Sequence, residues 1–225
     1  MTIAQPGSSV ERREPLTRER VVAAAVGLAD REGLPAVSMR KLGQELGVEA
    51  MSLYTHVRGK DDLLDGMADA VVGRIPIGRP TGHWRTALRR TILAARSTML
   101  EHPWAAAVIE TRAEPGPATI RYMDTIAAMM LRGGFSPDLA HHSLHVLGSR
   151  ILGFSQDLYD DKTQPASDTA AIASQLAAAY PSVAAIAFAA SHDGGLGGCD
   201  DDVEFAFGLD LILDGLERRL GGGTW

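Results

Sequence analysis

The sequence predicts an all-α fold: a small N-terminal helix-turn-helix domain followed by a larger helical domain. Three observations lead there. Hydrophobic residues make up 45% of the 225 positions but aromatics only 5%, with Ala, Leu and Val dominant; strands favour β-branched and aromatic residues instead. Apolar residues recur at helical spacing along most of the chain, and no stretch alternates with the period of a strand. Glycine and proline separate the helical stretches at regular intervals.

Residues 1–14 are small, polar and charged, and read as a disordered arm. Thr17 is the first N-cap, and Val22, Ala25, Val26 and Ala29 follow on one face. Gly33 ends that helix. Ser38 caps a second, Met39–Leu46, which Gly47 stops. A third is expected over Ala50–Val57, and a fourth from Asp61 or Asp62 to just before Pro76. These divide the chain into a DNA-binding domain over 15–62 and a second domain over 63–225, with 63–75 as the connecting helix. Beyond the loop Pro76–Gly82 come helices over Trp84–Leu100, Trp104–Arg112, Ala118–Arg132, Pro137–Tyr159, Thr169–Tyr180, Val183–Ser191 and Val203–Leu220.

The chain carries a net charge of -6, which looks wrong for a nucleic-acid binder until it is mapped. Residues 10–60 hold nine basic and seven acidic side chains, a balance of +2, so a mildly basic N-terminal part precedes an acidic body. A single cysteine, Cys199, excludes an internal disulfide and a thiolate-built zinc site. Neither a signal peptide nor a run of about 18 apolar residues is present, so no membrane association and a cytoplasmic location are expected.

The informative stretch is SMRKLGQELGVEAMSLYTHVRGK, Ser38–Lys60. Two short helices around a glycine turn cannot bury themselves alone. Leu42, Leu46, Val48, Leu53 and Val57 can converge on the first helix. Ala50, Met51, Ser52, Tyr54, Thr55 and His56 are then left outward, flanked by Arg40, Arg58 and Lys60. Small and hydroxyl side chains let a helix approach base edges in a major groove about 12 Å wide. The flanking cations suit phosphates. The alternative, a hairpin inside a larger core, does not explain this arrangement.

LADREG, MRKLGQELGV and SLYTHVRGKDDLL closely resemble the DNA-binding region of the tetracycline-repressor (TetR) family over residues 17–75. GGFSPDLAHHSLHVLGSRILGFSQD and EFAFGLDLILDGLERRL are similar to the family's C-terminal domain. The resemblance places phosphate and base contacts on Arg40, Ala50, Met51, Ser52, Tyr54, Thr55, His56 and Lys60. It implies departures as well. The tetracycline-binding members carry Gln and Pro at positions 50 and 51 and Trp at 55, so a different operator is expected. Ile109 stands at their metal-binding histidine and Thr91 at their drug-holding asparagine, while Asp157 keeps an acid. Magnesium–tetracycline is therefore not the expected ligand.

Trp104, Met99, Met123, Met130 and Phe154 are candidates for an apolar pocket, or equally for simple core. Arg112, Tyr122 and Asp157 are the polar candidates beside them. His141 and His145 stand four apart, the spacing of a two-histidine metal pair, but hydrogen-bonded interface histidines (with His142) are the plainer reading. Gly194–Gly198 lacks the ending of a phosphate loop. Asp200, Asp201 and Asp202 are placed to cap the last helix. Val203, Phe205, Phe207, Leu209, Leu211, Ile212, Leu213 and Leu216 nearly encircle that helix. Such a coat needs burial on two sides, so the last helix and Pro137–Tyr159 are expected to pair with their copies in a homodimer.

The expected function is a dimeric repressor that binds a palindromic double-stranded operator and releases it on binding a small-molecule effector. Neither a cofactor nor catalysis is expected. An activator or a ligand-stabilised repressor of the same fold is the alternative, with a helical metal-dependent enzyme behind it.

Overall fold

The computed structural model describes residues 15–78, 82–152, 175, 177–190 and 200–222. The N-terminal arm 1–14, Phe154, Asp157, the glycine loop with Cys199 and the expected helical turns between 153 and 174 lie outside them. The described residues are helical, without strands, and fall into two compact units. The first takes 15–74 and 98–121; the second takes the rest. The expected boundary at residue 62 thus falls inside the first unit, which holds the whole fourth helix.

In the first unit, α1 (Arg18–Glu32) starts where the Thr17 hydroxyl accepts the Arg20 amide and ends at Gly33, whose amide bonds Ala29 O at 2.8 Å. Val21, Val22, Ala25, Val26, Leu28 and Ala29 form its buried face. After a 3-10 turn (Leu34–Ala36), Ser38 caps α2 (Met39–Leu46) through the Lys41 amide. Gly47 closes α2 in the left-handed region (φ 67°, ψ 35°), where a side chain would be strained.

The third helix, α3, is Ala50–Leu53, shorter than the expected Ala50–Val57. The amides of Tyr54, Thr55 and His56 reach back only three residues, so the backbone tightens into 3-10 geometry. The Thr55 hydroxyl donates to Ser52 O at 2.7 Å and fixes the turn. Leu42, Leu53 and Val57 are buried as expected, whereas Leu46 and Val48 are half-buried. Helix α4 (Lys60–Val72) packs on α1 and on α6 (Ala105–Thr111).

A buried histidine joins three segments of this unit. His102 Nδ1 lies 2.8 Å from Asp30 Oδ1 and Nε2 lies 3.1 Å from Arg74 Nη1. Arg74 can only donate, so Nε2 accepts and the ring proton sits on Nδ1, facing the carboxylate. Trp104 donates its indole N–H to the same Asp30 oxygen at 2.7 Å.

The second unit holds most of α5 (Trp84–Glu101) and α7 (Pro117–Arg132), with α8 (Pro137–Leu152), α9 (Pro181–Ala190) and α10 (Asp201–Leu220). Its core joins Trp84, Leu88 and Ile92 of α5 to Ile126 and Met130 of α7, Leu147 of α8, and Phe205, Leu209, Leu213 and Leu216 of α10. Helices α5 and α10 run antiparallel, as their ion pairs show. Arg85 meets Asp214 and Glu217, Arg89 meets Asp210 at 2.8 Å, and Arg96 meets Asp202 at 3.2 Å. Asp200 caps α10, accepting the Asp202 and Val203 amides as the acid run predicts. On the outer side of α10, Val203, Phe207 (62% exposed) and Leu211 (53% exposed) form an uncovered apolar ridge at every fourth residue.

Candidate nucleic-acid interface and ligand cavity

Sterics fix the angle between α2 and α3. Gly43 is buried, and a Cβ there would lie 2.8 Å from Val48 O and 3.2 Å from Ala50 N. The absent side chain lets the turn fold back so that the Val48 amide bonds Gly43 O at 2.9 Å. Leu53 and Val57 are drawn into the core. What remains outward is the surface read from the sequence. Met51 is 74% exposed and Tyr54 47%, Ser52 and Thr55 are exposed, and Ala50 and His56 are half-buried.

Charge is sorted on the same surface. Arg31 is paired with Glu45, and Lys41 with Glu32. Arg40 and Lys60 are exposed and make no ion pair among the described residues, while the exposed Arg58 touches Asp62 at 3.6 Å. Arg40 and Lys60 are thus the cations beside α3 that make no ion pair among the described residues.

The turn behind α3 is clamped. Arg18 holds both carboxylate oxygens of Asp62 at 2.8 and 2.9 Å and also donates to His56 O at 3.1 Å. Asp62 accepts the Arg58 amide at 2.8 Å. The Arg18 bonds, helped by that amide, hold the Asp62 carboxyl at about 2, below its ordinary value. Sequence reading missed this pair because its members stand 44 residues apart and no periodicity connects them.

In the second unit, α5, α7 and α8 enclose a cavity of about 380 Å³. Ile92, Met123, Ile126, Leu144, Leu147, Ile151 and Leu152 make it apolar, and Tyr122, His141 and His145 bring the polar atoms. The Tyr122 hydroxyl is buried without a hydrogen-bond partner among the described residues. Burial pushes its phenol well above the usual range, so it remains a neutral donor. The His141 and His145 rings meet edge to face with centroids 4.7 Å apart. No group of three His, Cys, Asp or Glu side chains among the described residues is placed to hold a metal.

Of the pocket candidates, Tyr122 and Met123 reach this cavity. Thr91 is buried beside it in sequence, its hydroxyl donating to Ala87 O. Met130 is core. Met99, Trp104, Ile109 and Arg112 belong to the first unit, where Trp104 holds Asp30 and Arg112 lies 3.3 Å from Asp65. His141 and His145, singled out as interface histidines or a metal pair, line the cavity with Leu144, Gly148 and Leu152, which that reading left out. They form one stripe on α8, and that spacing was available in the sequence.

Helices throughout the described residues, an exposed turn over α3 in one unit and an apolar cavity in the other are what a DNA-binding transcription regulator with a ligand site presents. The comparisons are specific. The family of bacterial regulatory proteins, tetR family, matches residues 21–67, and the tetracyclin repressor-like C-terminal domain matches 76–220. The chain belongs to the TetR family. The HTH-type transcriptional repressor DrrR1 of Streptomyces coeruleorubidus is 33% identical over 216 residues, 90% of this chain and 77% of that one. An HTH-type transcriptional regulator of Saccharopolyspora erythraea is 38% identical, but over only 58% of this chain and 56% of that one. ActR of Streptomyces coelicolor superposes with a TM-score of 0.75 at 27% identity, covering 94% of this chain and 99% of that one. ActR has also been solved with (S)-DNPA and with actinorhodin.

Proposed function

We propose that this chain represses transcription as a homodimer, reading a palindromic operator with Arg40, Ala50, Met51, Ser52, Tyr54, Thr55, His56 and Lys60. It acts in the cytoplasm, by binding alone and without catalysis. The observation that carries this is the surface over α3: Met51 and Tyr54 project outward around a buried Leu53, beside the exposed Arg40 and Lys60, which make no ion pair among the described residues. Val203, Phe207 and Leu211 make an exposed apolar ridge, and its Leu211 lines, with Val146 of α8, a groove of about 230 Å³. A second copy covers it and sets two reading surfaces about 34–36 Å apart.

The effector occupies the cavity behind Tyr122 and releases the operator. Among the described residues, no Asp, Glu, Lys or Arg lines the cavity. The wall therefore suits a neutral or weakly acidic, largely apolar molecule that accepts a hydrogen bond from Tyr122, and disfavours a cation. That ActR has been solved with (S)-DNPA and with actinorhodin supports a small-molecule effector. To move the population from 1:99 to 99:1, it must prefer the released state by about 5.5 kcal/mol.

Selection from a randomised duplex pool tests the reading. The full chain is expected to enrich a palindrome with half-sites one helical turn apart. Tyr54→Ala is expected to lose that preference while staying folded and dimeric. Enrichment of no sequence, or an unaltered preference in the variant, would remove α3 as the reader.

A further inference from the structure

Helix α7 has no cap of its own. Its N-cap position is Gly116, followed by Pro117 at the first helical position, so no side chain of the segment reaches the open amides. The cap comes from α4 instead. Asp69 Oδ1 accepts the Ala118 amide at 2.8 Å, the Thr119 amide at 2.9 Å and the Thr119 hydroxyl at 3.2 Å. Both helices are relieved of side chains where they meet. A Cβ at Gly116 would collide with the Asp69 carboxylate, and one at Gly73 would already touch the Ala118 Cβ at 3.4 Å.

Asp69 is the last of four acids on α4, and Asp62, Asp65 and Asp69 engage three different segments. Asp62 is gripped by Arg18 of α1 and accepts the Arg58 amide behind the reading turn. Asp65 takes Arg112 at the end of α6. Asp69 takes the start of α7. Seven residues of helix, about 10 Å, separate Asp62 from Asp69. Helix α7 then continues without a break to Tyr122, Met123 and Ile126 on the cavity wall, one to two turns beyond the cap.

We propose that Asp69 is the positioning residue that couples cavity to reader. A ligand that shifts α7 at Tyr122 and Met123 drags the Asp69 carboxylate, and the rigid α4 passes the shift to Asp62 and the turn behind α3. The proposal rests on the operator reading above and adds the residue through which release is transmitted. Coupling between two sites is reciprocal, so operator binding must in turn be felt on α7.

That reciprocity permits a test needing no effector. Amide hydrogen exchange is followed in the full chain with and without the duplex selected by the wild-type protein. In the wild type, the duplex is expected to slow exchange at α3 and, by about fivefold or more, at residues 122–126. Asp69→Ala and Gly116→Ala are expected to keep the slowing at α3 and lose the change at 122–126. Asp69→Asn, which retains an acceptor oxygen, is expected to keep it. A merely local cap would alter residues 118 and 119 with or without duplex and leave the duplex-dependent change at 122–126 intact. That outcome in either variant, or a wild type protected at α3 alone, overturns the proposal. A wild type unprotected at α3 overturns the operator reading itself, and this proposal with it.

Discussion

The two units treat their polar groups and surfaces in opposite ways. In the reading unit, interior polar groups pair between segments, Arg18 with Asp62, His102 with Asp30 and Arg74, Trp104 with Asp30 and Asp69 with α7, and among the described residues Arg112 Nε is the buried side-chain atom there without a hydrogen-bond partner. The second unit is incomplete by the same standard. Tyr122 has a buried hydroxyl with nothing to bond among the described residues, α8 lines a cavity, and α10 carries an uncovered ridge. A reader must hold one geometry against DNA, whereas a sensor must gain something when its ligand and its second copy arrive. Satisfied networks give the first, and unsatisfied groups the second.

The contrast can be broken from either side. The largest effect is expected from Leu211→Arg on the ridge. A charge there opposes burial against a second copy, so sedimentation should show a monomer and operator affinity should fall at least about a hundredfold as the two-site geometry is lost. Gly43→Ala comes next. Its Cβ would press on the Val48 carbonyl, which is backbone and must move, at a cost of about 1–3 kcal/mol. Gel shifts should show loss of specific binding while the dimer persists.

Asp62→Ala removes a two-pronged charged contact worth about 1.5–3 kcal/mol, read as a lower unfolding midpoint in denaturant. The same contact predicts a pH signature. The folded Asp62 carboxyl titrates at about 2, below its ordinary 3.8. Its contribution is therefore complete above pH 4 and fades as pH falls towards 2. Wild type and variant should converge in stability over that window and differ by a constant amount above it.

The smallest effect, with the opposite sign, is expected at the cavity. Tyr122→Phe removes the unpartnered hydroxyl and should stabilise the free protein by about 1 kcal/mol, seen as a higher melting temperature. An effector that bonds this hydroxyl should bind the variant more weakly. A variant less stable than wild type would mean that the hydroxyl has a partner after all.

Local chemistry was legible and distant pairing was not. Thr17, Ser38, Gly33 and Gly47 mark the ends of α1 and α2 where the sequence places them, because caps depend on neighbours three or four residues away. The outward set on α3 was equally legible, since it is what remains once Leu53 and Val57 turn inward. The length of α3 was not, because nothing in the apolar pattern separates a last α turn from a 3-10 turn. Trp104 shows a further limit. Spacing reports that an apolar residue is covered, not which unit covers it, and Trp104 lies in the reading unit. The separation of His141 and His145 raised a metal pair as the alternative to interface histidines, and the same separation extended through Leu144, Gly148 and Leu152 traces a cavity wall.

The bare ridge on α10 also governs how the regulator responds to its own abundance. If covering Val203, Phe207 and Leu211 requires a second chain, and only the pair spans two half-sites, then at low expression operator occupancy climbs with the square of chain concentration. Halving the cellular supply then empties about three-quarters of the operators otherwise filled in that dilute regime, so a gene under its control would open steeply as the protein is diluted by growth, before any ligand enters the cavity.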